Sequence, residues 1–568
     1  MRPVTELPNP QANPDPDPDS PQSRLRPDEH AEAGGDRLGS LGTSGLDGVG
    51  EAAGTDGSRA AVGLVDRLWA AVGAEPSAPT GEFQISGPEG FLPSVFDVTG
   101  FASAAVAVAA LATADLLSVV EDRGPRAVTV DRRAASAAFL TESLFTPAGW
   151  ERPAVWDPIA SDYRTADGWI RLHTNYRHHR EAVLRALGLA GRADAGASGG
   201  GDPGGAGGAG GGGDGADRAA VAAAVAGWPG DDLETAVVRA GGCAAVQRDR
   251  AAWLASPPGA ASAAEPLVRV ERRPAAGTGR PGWARLRADA ASAVRPRRPD
   301  GPGGQHGPHR PLAGLRVLDL TRVIAGPVAT RWLAAYGADV VRVDPVGFAE
   351  VPALLPVMTA GKRRAVLDLR AADGRAAFAR LAATADVLVC GLRADALDRL
   401  GFGPEALLAA NPDLIVARLD AYGWSGPWAT RRGFDSLVQM SCGITAAGAA
   451  AAGQDAPRPL PAPALDHGTG YLLAAAVLRA LSRLARTGQA SSLAASLVGT
   501  ANVLMSLPTP AGLAAPAPRF SPDDTQPVRT AWGDARGVPA PGTIDGMPAD
   551  LPEPAGPLGT HPPVWLPR

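Results

Sequence analysis

The sequence predicts an α/β fold: a doubly wound parallel sheet in its second half, with a smaller α/β domain ahead of it. Three observations carry that expectation. Apolar strand-like runs recur at residues 315–321 (LRVLDLT), 339–344 (DVVRVD), 364–369 (RAVLDL), 386–392 (DVLVCGL) and 413–423 (DLIVARLDAYG). Helical runs stand between them: GPVATRWLAAYG at 326–337, GRAAFARLAAT at 374–384 and PEALLAAN at 404–411. Gly337 closes the first of these helices, where a left-handed residue is favoured. Strands alternating with helices at this spacing build βαβ units and hence a Rossmann-like lobe. Ligands of such sheets bind beyond the carboxyl ends of the strands, here after Thr321, Asp344, Leu392 and Tyr422.

The 568 residues exceed one ordinary domain, and 71 Gly and 54 Pro point to long unstructured stretches. Residues 1–58, rich in Pro, Asp and Gly, read as a disordered tail that buries too little apolar surface to offset ordering. Residues 59–294 form the first half. It carries an alanine-rich helix at 101–119, a strand-like WIRLHTNY at 169–176, and helices at 178–187 and 217–227. DDLETAVVRAGGCAAVQ then reads as a helix ended by Gly241-Gly242 and followed by a strand. Within this half, 194–217 is a Gly-rich flexible loop. Residues 295–310 read as a linker, 311–500 as the doubly wound lobe, and 501–568 as a Pro-rich C-terminal tail.

Several function classes fall away. A net charge of −5 and a pI near 6.0 give no footprint for nucleic acid. The basic start of RPRRPDGPGGQHGPHRP has no interleaved aromatic residue and reads as solvated linker. Cys243, Cys390 and Cys442 lie far apart with no CxxC, which argues against zinc or a disulfide framework and suits a reducing cytoplasm. The first residues lack the apolar core of a signal peptide, and the apolar stretches at 101–120 and 471–484 are interrupted by polar residues, so no membrane span is expected. His178-His179 and His306/His309 have no companion ligands, so no metal is expected, and no GxSxG elbow marks a serine hydrolase.

Candidate site residues lie at the strand ends. The turn TRVIAGP opens a helix whose amides can hold a phosphate, although it lacks both GxGxxG and GxxxxGK[ST]. Asp344 is placed either to meet a ribose or simply to end its strand. Arg393 and Arg399 bracket RADALDRLGF, where Arg399 reaches a ligand phosphate or solvent. Asp466 opens the long apolar run LDHGTGYLLAAAVLRAL. As a helix-start acid it gains about 0.3–1 kcal/mol from the dipole. Gly468 and Gly470 exceed what a cap needs and suit close approach of a ligand to backbone amides.

Five blocks, PLAGLRVLDLTRVIAGPVATRWLAAYGADVVRVD, GKRRAVLDLR, DVLVCGLRADALDRLGF, NPDLIVARLDAYGWSGPWATRRGFDSLVQMSCGI and LDHGTGYLLAAAVLRAL, resemble in order those of the family III CoA-transferases, the formyl-CoA and carnitine CoA-transferase group. The resemblance covers about residues 311–500. It implies an enzyme moving CoA from an acyl-CoA donor to a carboxylic acid acceptor, with CoA as substrate moiety and no permanently bound cofactor. It makes Asp466 the covalent nucleophile, with amides of the Gly468–Gly470 turn facing the developing oxyanion. By the same matching Val323 and Ile324 line the CoA channel, Arg399 meets the nucleotide phosphates, and Arg432 holds a basic CoA position. The family's E-N-F is replaced by Cys390-Gly391-Leu392, and no basic residue closely follows Asp344. The related α-methylacyl-CoA racemases carry G-H-D where this chain has Gly433-Phe434-Asp435; His467 is the nearest substitute base.

The first half resembles a displaced copy of what normally follows the aspartate helix. FDVTGFASAAVAVAAL echoes LDHGTGYLLAAAVLRAL, while RTADGWIRLHTNYRHHREAVLRALGL and LETAVVRAGGCAAVQRDRAAWLASP resemble the family's small domain. PLGTHPPVW at 557–565 resembles the family's closing L-G-x-H segment. Aligned on Thr-Gly, Phe96 falls opposite Asp466 and Asp97 opposite His467, so the first copy lacks the nucleophile. Family members form interlocked homodimers; the rearranged order implies either such a homodimer or a fusion that reproduces part of it in one chain. A degenerate, non-catalytic acyl-CoA-binding protein is the competing reading.

Overall fold

A computed structural model describes residues 56–73, 81–121, 124–190, 214–275, 311–393, 395–510 and 519–566. Almost all of the expected N-terminal tail and Gly-rich loop, and the whole 295–310 linker, lie outside them. In the first half come β1 (Phe83–Ser86), α1 (Val98–Glu121), β2 (Val128–Asp131), α2 (Thr141–Leu144) and β3 (Val268–Pro274). In the second half follow β4 (Arg316–Leu320), α3 (Ala325–Ala335), β5 (Asp339–Asp344), β6 (Arg363–Val366), β7 (Val387–Cys390), β8 (Ile415–Asp420), α4 (Asp435–Cys442), α5 (Ala464–Thr487) and β9 (Gln489–Ser496).

The doubly wound sheet is present. Its order is β6-β5-β4-β7-β8-β9-β3, with every pair parallel except the last. Strands covered on both faces need no polar alternation, and β7 is buried at all four positions. The chain winds outward in one direction from β4 and in the other from β7. A crevice therefore opens where their carboxyl ends meet, beside Thr321 and Gly391. One polar residue interrupts β4: Asp319 is fully buried and accepts from Lys362 Nζ at 3.0 Å and Thr330 Oγ1 at 2.7 Å. Burial pushes the Lys362 ammonium down to about 8, while Asp319 holds its charge in place. This pair ties β4, α3 and the entry to β6 together.

The two halves are joined more closely than the composition suggests. Strand β3 of the first half seals the β9 edge through the register Gln489↔Pro274 to Ala495↔Val268. Helices α1 and α5 pack against each other in the core. By length and composition α1 is apolar enough to cross a membrane, but its surface is packed inside the protein. The expected smaller domain is a three-stranded sheet of Ser161–Arg164, Trp169–Leu172 and Ala244–Val246, with its own core around Ile159, Ile170, Val183 and Val237.

The Pro-rich C-terminal region corrects the expectation of a tail. Gln526–Thr530, Gly533–Gly537, Thr543–Ile544 and Met547–Pro548 are strands, and they pair back to Thr146–Pro147 and β2 of the first half. Pro527 and Pro548 sit on the outermost strands of their sheets, where a missing N–H removes no ladder bond.

Candidate active site at the head of the second buried helix

Helix α5 begins at Ala464 with Pro463 as its N-cap, a residue with no side-chain oxygen to offer. The capping acid comes instead from α4: Asp435 Oδ2 accepts from the amides of Leu465 at 2.9 Å and Asp466 at 3.0 Å. Gln439 braces this arrangement, donating to Asp435 and accepting from the Leu460 amide at 2.8 Å. The remaining first-turn amides are also satisfied, Ala464 by Ala462 O at 2.7 Å and His467 by Pro463 O at 3.0 Å. Asp466 is therefore not needed as a cap. Its carboxyl is only 8% exposed, and among the described residues none donates a hydrogen bond to it. Burial pushes its pKa well above the usual carboxylate range, and the nearby Asp435 and Glu142 carboxylates push the same way. Burial also raises Asp435, opposed by the two amides and Gln439.

The glycine pair must be reassigned. Gly468 and Gly470 lie inside α5, not in a turn, so their amides are spent on helix bonds and do not form an oxyanion cradle. Their lack of a side chain serves packing. A Cβ at Gly468 would lie 2.3 Å from Phe101 of α1, and one at Gly470 would lie 2.6 Å from the Ala325 carbonyl oxygen of α3. Three helices converge there, and only glycine admits the approach.

At the crevice, Val323 adopts φ +63°, a left-handed conformation that is an outlier for a β-branched residue and costs about 1–3 kcal/mol. What holds it is Glu350, whose Oε2 accepts the Val323 amide at 3.2 Å. Glu350 is gripped in turn by Arg342 Nη2 at 2.8 Å and by the Tyr176 hydroxyl at 2.7 Å, the latter from the first half. Arg342 also forks onto Asp344 at 2.8 and 3.0 Å. Asp344 is thus buried in an ion pair and does not face a ribose. Val323 is half-buried at the crevice, whereas Ile324 turns into the core.

Basic groups gather on the same rim. The Arg322 guanidinium lies over the Phe348 ring, 3.5 Å from its centroid, and burial lowers its pKa. Burial lowers the His178 imidazole too, followed by the charge of Arg432; Arg322 and Arg393 act in the same sense. Arg393 is lowered by burial and then by Arg432 and Arg399. Arg432 is fixed by Gly241 O at 2.7 Å. Among the described residues Arg322, Arg393 and Arg432 form no ion pair with a carboxylate, and such a group of like charges makes the local potential positive. Arg399 stands at its edge, about half exposed and paired with Asp395. Sequence reasoning missed Arg322, although it directly precedes Val323 at a strand end. It also missed Asp435 and Glu142, which lie 31 and 324 positions from the residues they serve in sequence and share no local pattern with them. Phe434, in the racemases' histidine position, stacks flat on His173 with centroids 3.6 Å apart.

Residues 312–527 match the model of "CoA-transferase family III". A "Probable fatty acyl-CoA transferase" of Mycobacterium tuberculosis is 37% identical over 194 residues, 32% of this chain and 49% of that protein. An "Acetyl-coenzyme A transferase" of Hypoxylon pulicicidum is 38% identical over 186 residues, 32% of this chain and 31% of that protein. The chain spans about half the length, or less, of these curated relatives. A crystal structure of a hypothetical Mycobacterium tuberculosis protein, at 34% identity, covers 40% of this chain and 65% of that one with a TM-score of 0.32.

Proposed function

We propose that this chain is a CoA-transferase that moves CoA from an acyl-CoA to a carboxylic acid through a covalent intermediate on Asp466. The observation that carries the reading is a buried carboxyl at a helix head whose capping work is done by another acid. The rim of Arg322, Arg393 and Arg432 offers the CoA phosphates charge-assisted bonds, and the strained Val323 turn borders the path inward. The ionised Asp466 oxygen attacks the thioester carbonyl, and the C–S bond breaks to leave a mixed anhydride and CoA thiolate. The thiolate then attacks the Asp466 carbonyl, releasing the donor's acid and leaving an aspartyl-CoA thioester. The acceptor carboxylate repeats the sequence in reverse and leaves with CoA. The acyl-CoA and the acid are the only partners the reading requires. A cytoplasmic setting is part of it, supported by three free, buried cysteines.

The test incubates the protein with a panel of acyl-CoAs, traps with hydroxylamine and maps the product by mass spectrometry. A hydroxamate at Asp466, absent from Asp466→Ala, supports the reading. Tight acyl-CoA binding with neither adduct nor CoA exchange overturns it in favour of a non-catalytic acyl-CoA-binding protein. Sedimentation of the same sample separates a homodimer from a single chain.

A further inference from the structure

We propose that Tyr176, carried by the first half, is a positioning residue for CoA: its hydroxyl, acting through Glu350, fixes the turn that presents Arg322 to the CoA phosphates. This rests on the CoA reading above, and it makes affinity for CoA depend on the docked small domain. Tyr176 follows the Trp169–Leu172 strand and is the N-cap of the Arg177–Ala186 helix, but its side chain makes no cap bond. Its carbonyl accepts from the amides of His179 at 2.8 Å and Arg180 at 3.0 Å. Its neighbour Asn175 donates to Val155 O at 3.0 Å and accepts from the Asp157 amide at 2.9 Å. The hydroxyl thus stands on a rigid base. It donates to Glu350 Oε1 at 2.7 Å, as the Val351 amide does at 3.0 Å. The other oxygen, Oε2, accepts from the Val323 amide at 3.2 Å and Arg342 Nη2 at 2.8 Å. Arg342 is shared, since it also forks onto Asp344, so one guanidinium serves two buried carboxylates. Glu350 is itself buried, and bulk water does not replace a donor it loses.

The turn it acts on has fixed ends and a strained middle. Thr321 is held by Asp319 Oδ1, through its amide at 2.9 Å and its hydroxyl at 2.5 Å, and Ala325 opens α3. Between them Val323 sits at φ +63°, which a β-branched residue keeps only where its surroundings enforce it. Glu350 is the group that enforces it. With that carboxylate loosened, Val323 relaxes toward negative φ, and the peptide it shares with Arg322 turns with it. The Arg322 guanidinium is then carried off the Phe348 ring, whose centroid is now 3.5 Å away, and away from the phosphates. The Phe348 ring lies 5.6 Å from that of Tyr176, so the ring and the hydroxyl of one tyrosine back both Arg322 and Val323. The small domain ties a second member of the rim as well, because Gly241 O accepts from Arg432 Nη1 at 2.7 Å. Tyr176 acts through Glu350 and the turn rather than on the substrate.

The experiment compares wild type with Tyr176→Phe in the full chain, with thermal unfolding as a folding control. Phenylalanine keeps the ring against Phe348 and removes only the hydroxyl. Two substrates are used: an acyl-CoA, and the acyl-pantetheine that carries the same thioester without the nucleotide and its phosphates. In the variant KM for the acyl-CoA is expected to rise about 10-fold with kcat within about twofold, while the acyl-pantetheine changes by less than about twofold. An unchanged KM for the acyl-CoA overturns the proposal, and so does an equal loss on both thioesters, which is what general loosening of the fold produces. Glu350→Gln supplies the second arm. Because the hydroxyl acts through this carboxylate, adding Tyr176→Phe to Glu350→Gln is expected to raise KM by less than about twofold more, and a further rise of about 10-fold overturns the coupling. Should the wild type bind acyl-CoA but form no adduct at Asp466, the covalent reading fails alone, and the same contrast is read in Kd by calorimetry. Should it bind no CoA, the transferase reading fails, and amide exchange at Val323 in the ligand-free chain decides the positioning. Exchange about 10-fold faster in Tyr176→Phe supports it, and an unchanged rate overturns it.

Discussion

Helices α1 and α5 have the same length, 24 residues, lie side by side in the core, and share a Thr-Gly step near their starts, yet their heads are built in opposite ways. In α1 the cap is local. Asp97 Oδ1 accepts from the Gly100 amide at 2.8 Å, so the acid three residues ahead is spent on the backbone. In α5 the cap is remote: Asp435 takes the amides, and Asp466 is left buried with no donor among the described residues. An acid at a helix start thus has two fates, and what selects between them is whether a neighbouring element supplies the cap. Aligned on the Thr-Gly step, Phe96, two residues ahead of α1, falls opposite Asp466 of α5, so only the α5 head carries a carboxyl at that place.

The comparison breaks first at Asp466. Asp466→Ala should reduce CoA exchange by on the order of 10³-fold or more, while Asp97→Ala leaves it unchanged, as a coupled exchange assay reads directly. Next comes the glycine of the shared step. Gly470→Ala forces a Cβ against the Ala325 carbonyl and Val328, atoms of a packed helix, and should destabilise by about 2–3 kcal/mol in urea unfolding. In α1 the same change at Gly100 meets the Asp97 carboxylate instead and costs only the cap, about 1 kcal/mol.

How much of this was legible follows from the range over which each pattern acts. The parallel sheet shows in the sequence because buried strands such as VLVC are apolar throughout, and that signal is local. The antiparallel closure by β3 is not local, since its partner lies more than 200 residues away in the chain. The glycines were visible, but which helix each one faces was not, and so a packing requirement looked like room for a ligand. Asp466 drew attention for its position, yet the residue that frees it is Asp435, whose carboxylate looks like an ordinary first-turn acid of α4. Val323 gives no sequence signal of strain at all. The fit of that turn depends on Glu350, Arg342 and Tyr176 from three separate segments.

Two smaller effects sharpen the contrast between the heads. The folded-state pKa of Asp466 is raised, so the folded protein binds that proton more tightly than the unfolded chain does. Its contribution to stability is present below the unfolded pKa and is lost as pH rises toward the folded one. Asp466→Asn should therefore be more stable than wild type on the alkaline side and flatten the fall of stability with pH, as thermal melts across pH would show. Asp97→Ala should cost about 1 kcal/mol through the lost cap bond and flatten that slope less than Asp466→Asn, because burial raises Asp97 too but the Gly100 amide opposes it.

The strand at the rim of the large sheet carries a consequence for anyone who would cut this chain. Residues 311–568 expressed alone would display the whole β9 edge, from Gln489 to Ala495, as a ready template for other strands. They would also lose the Tyr176 strut beneath the Val323 turn. Such a fragment is expected to assemble into insoluble polymer, whereas the two pieces produced together should find each other and recover a soluble protein. The order in which the segments are strung is then a matter of wiring; their mutual presence is not.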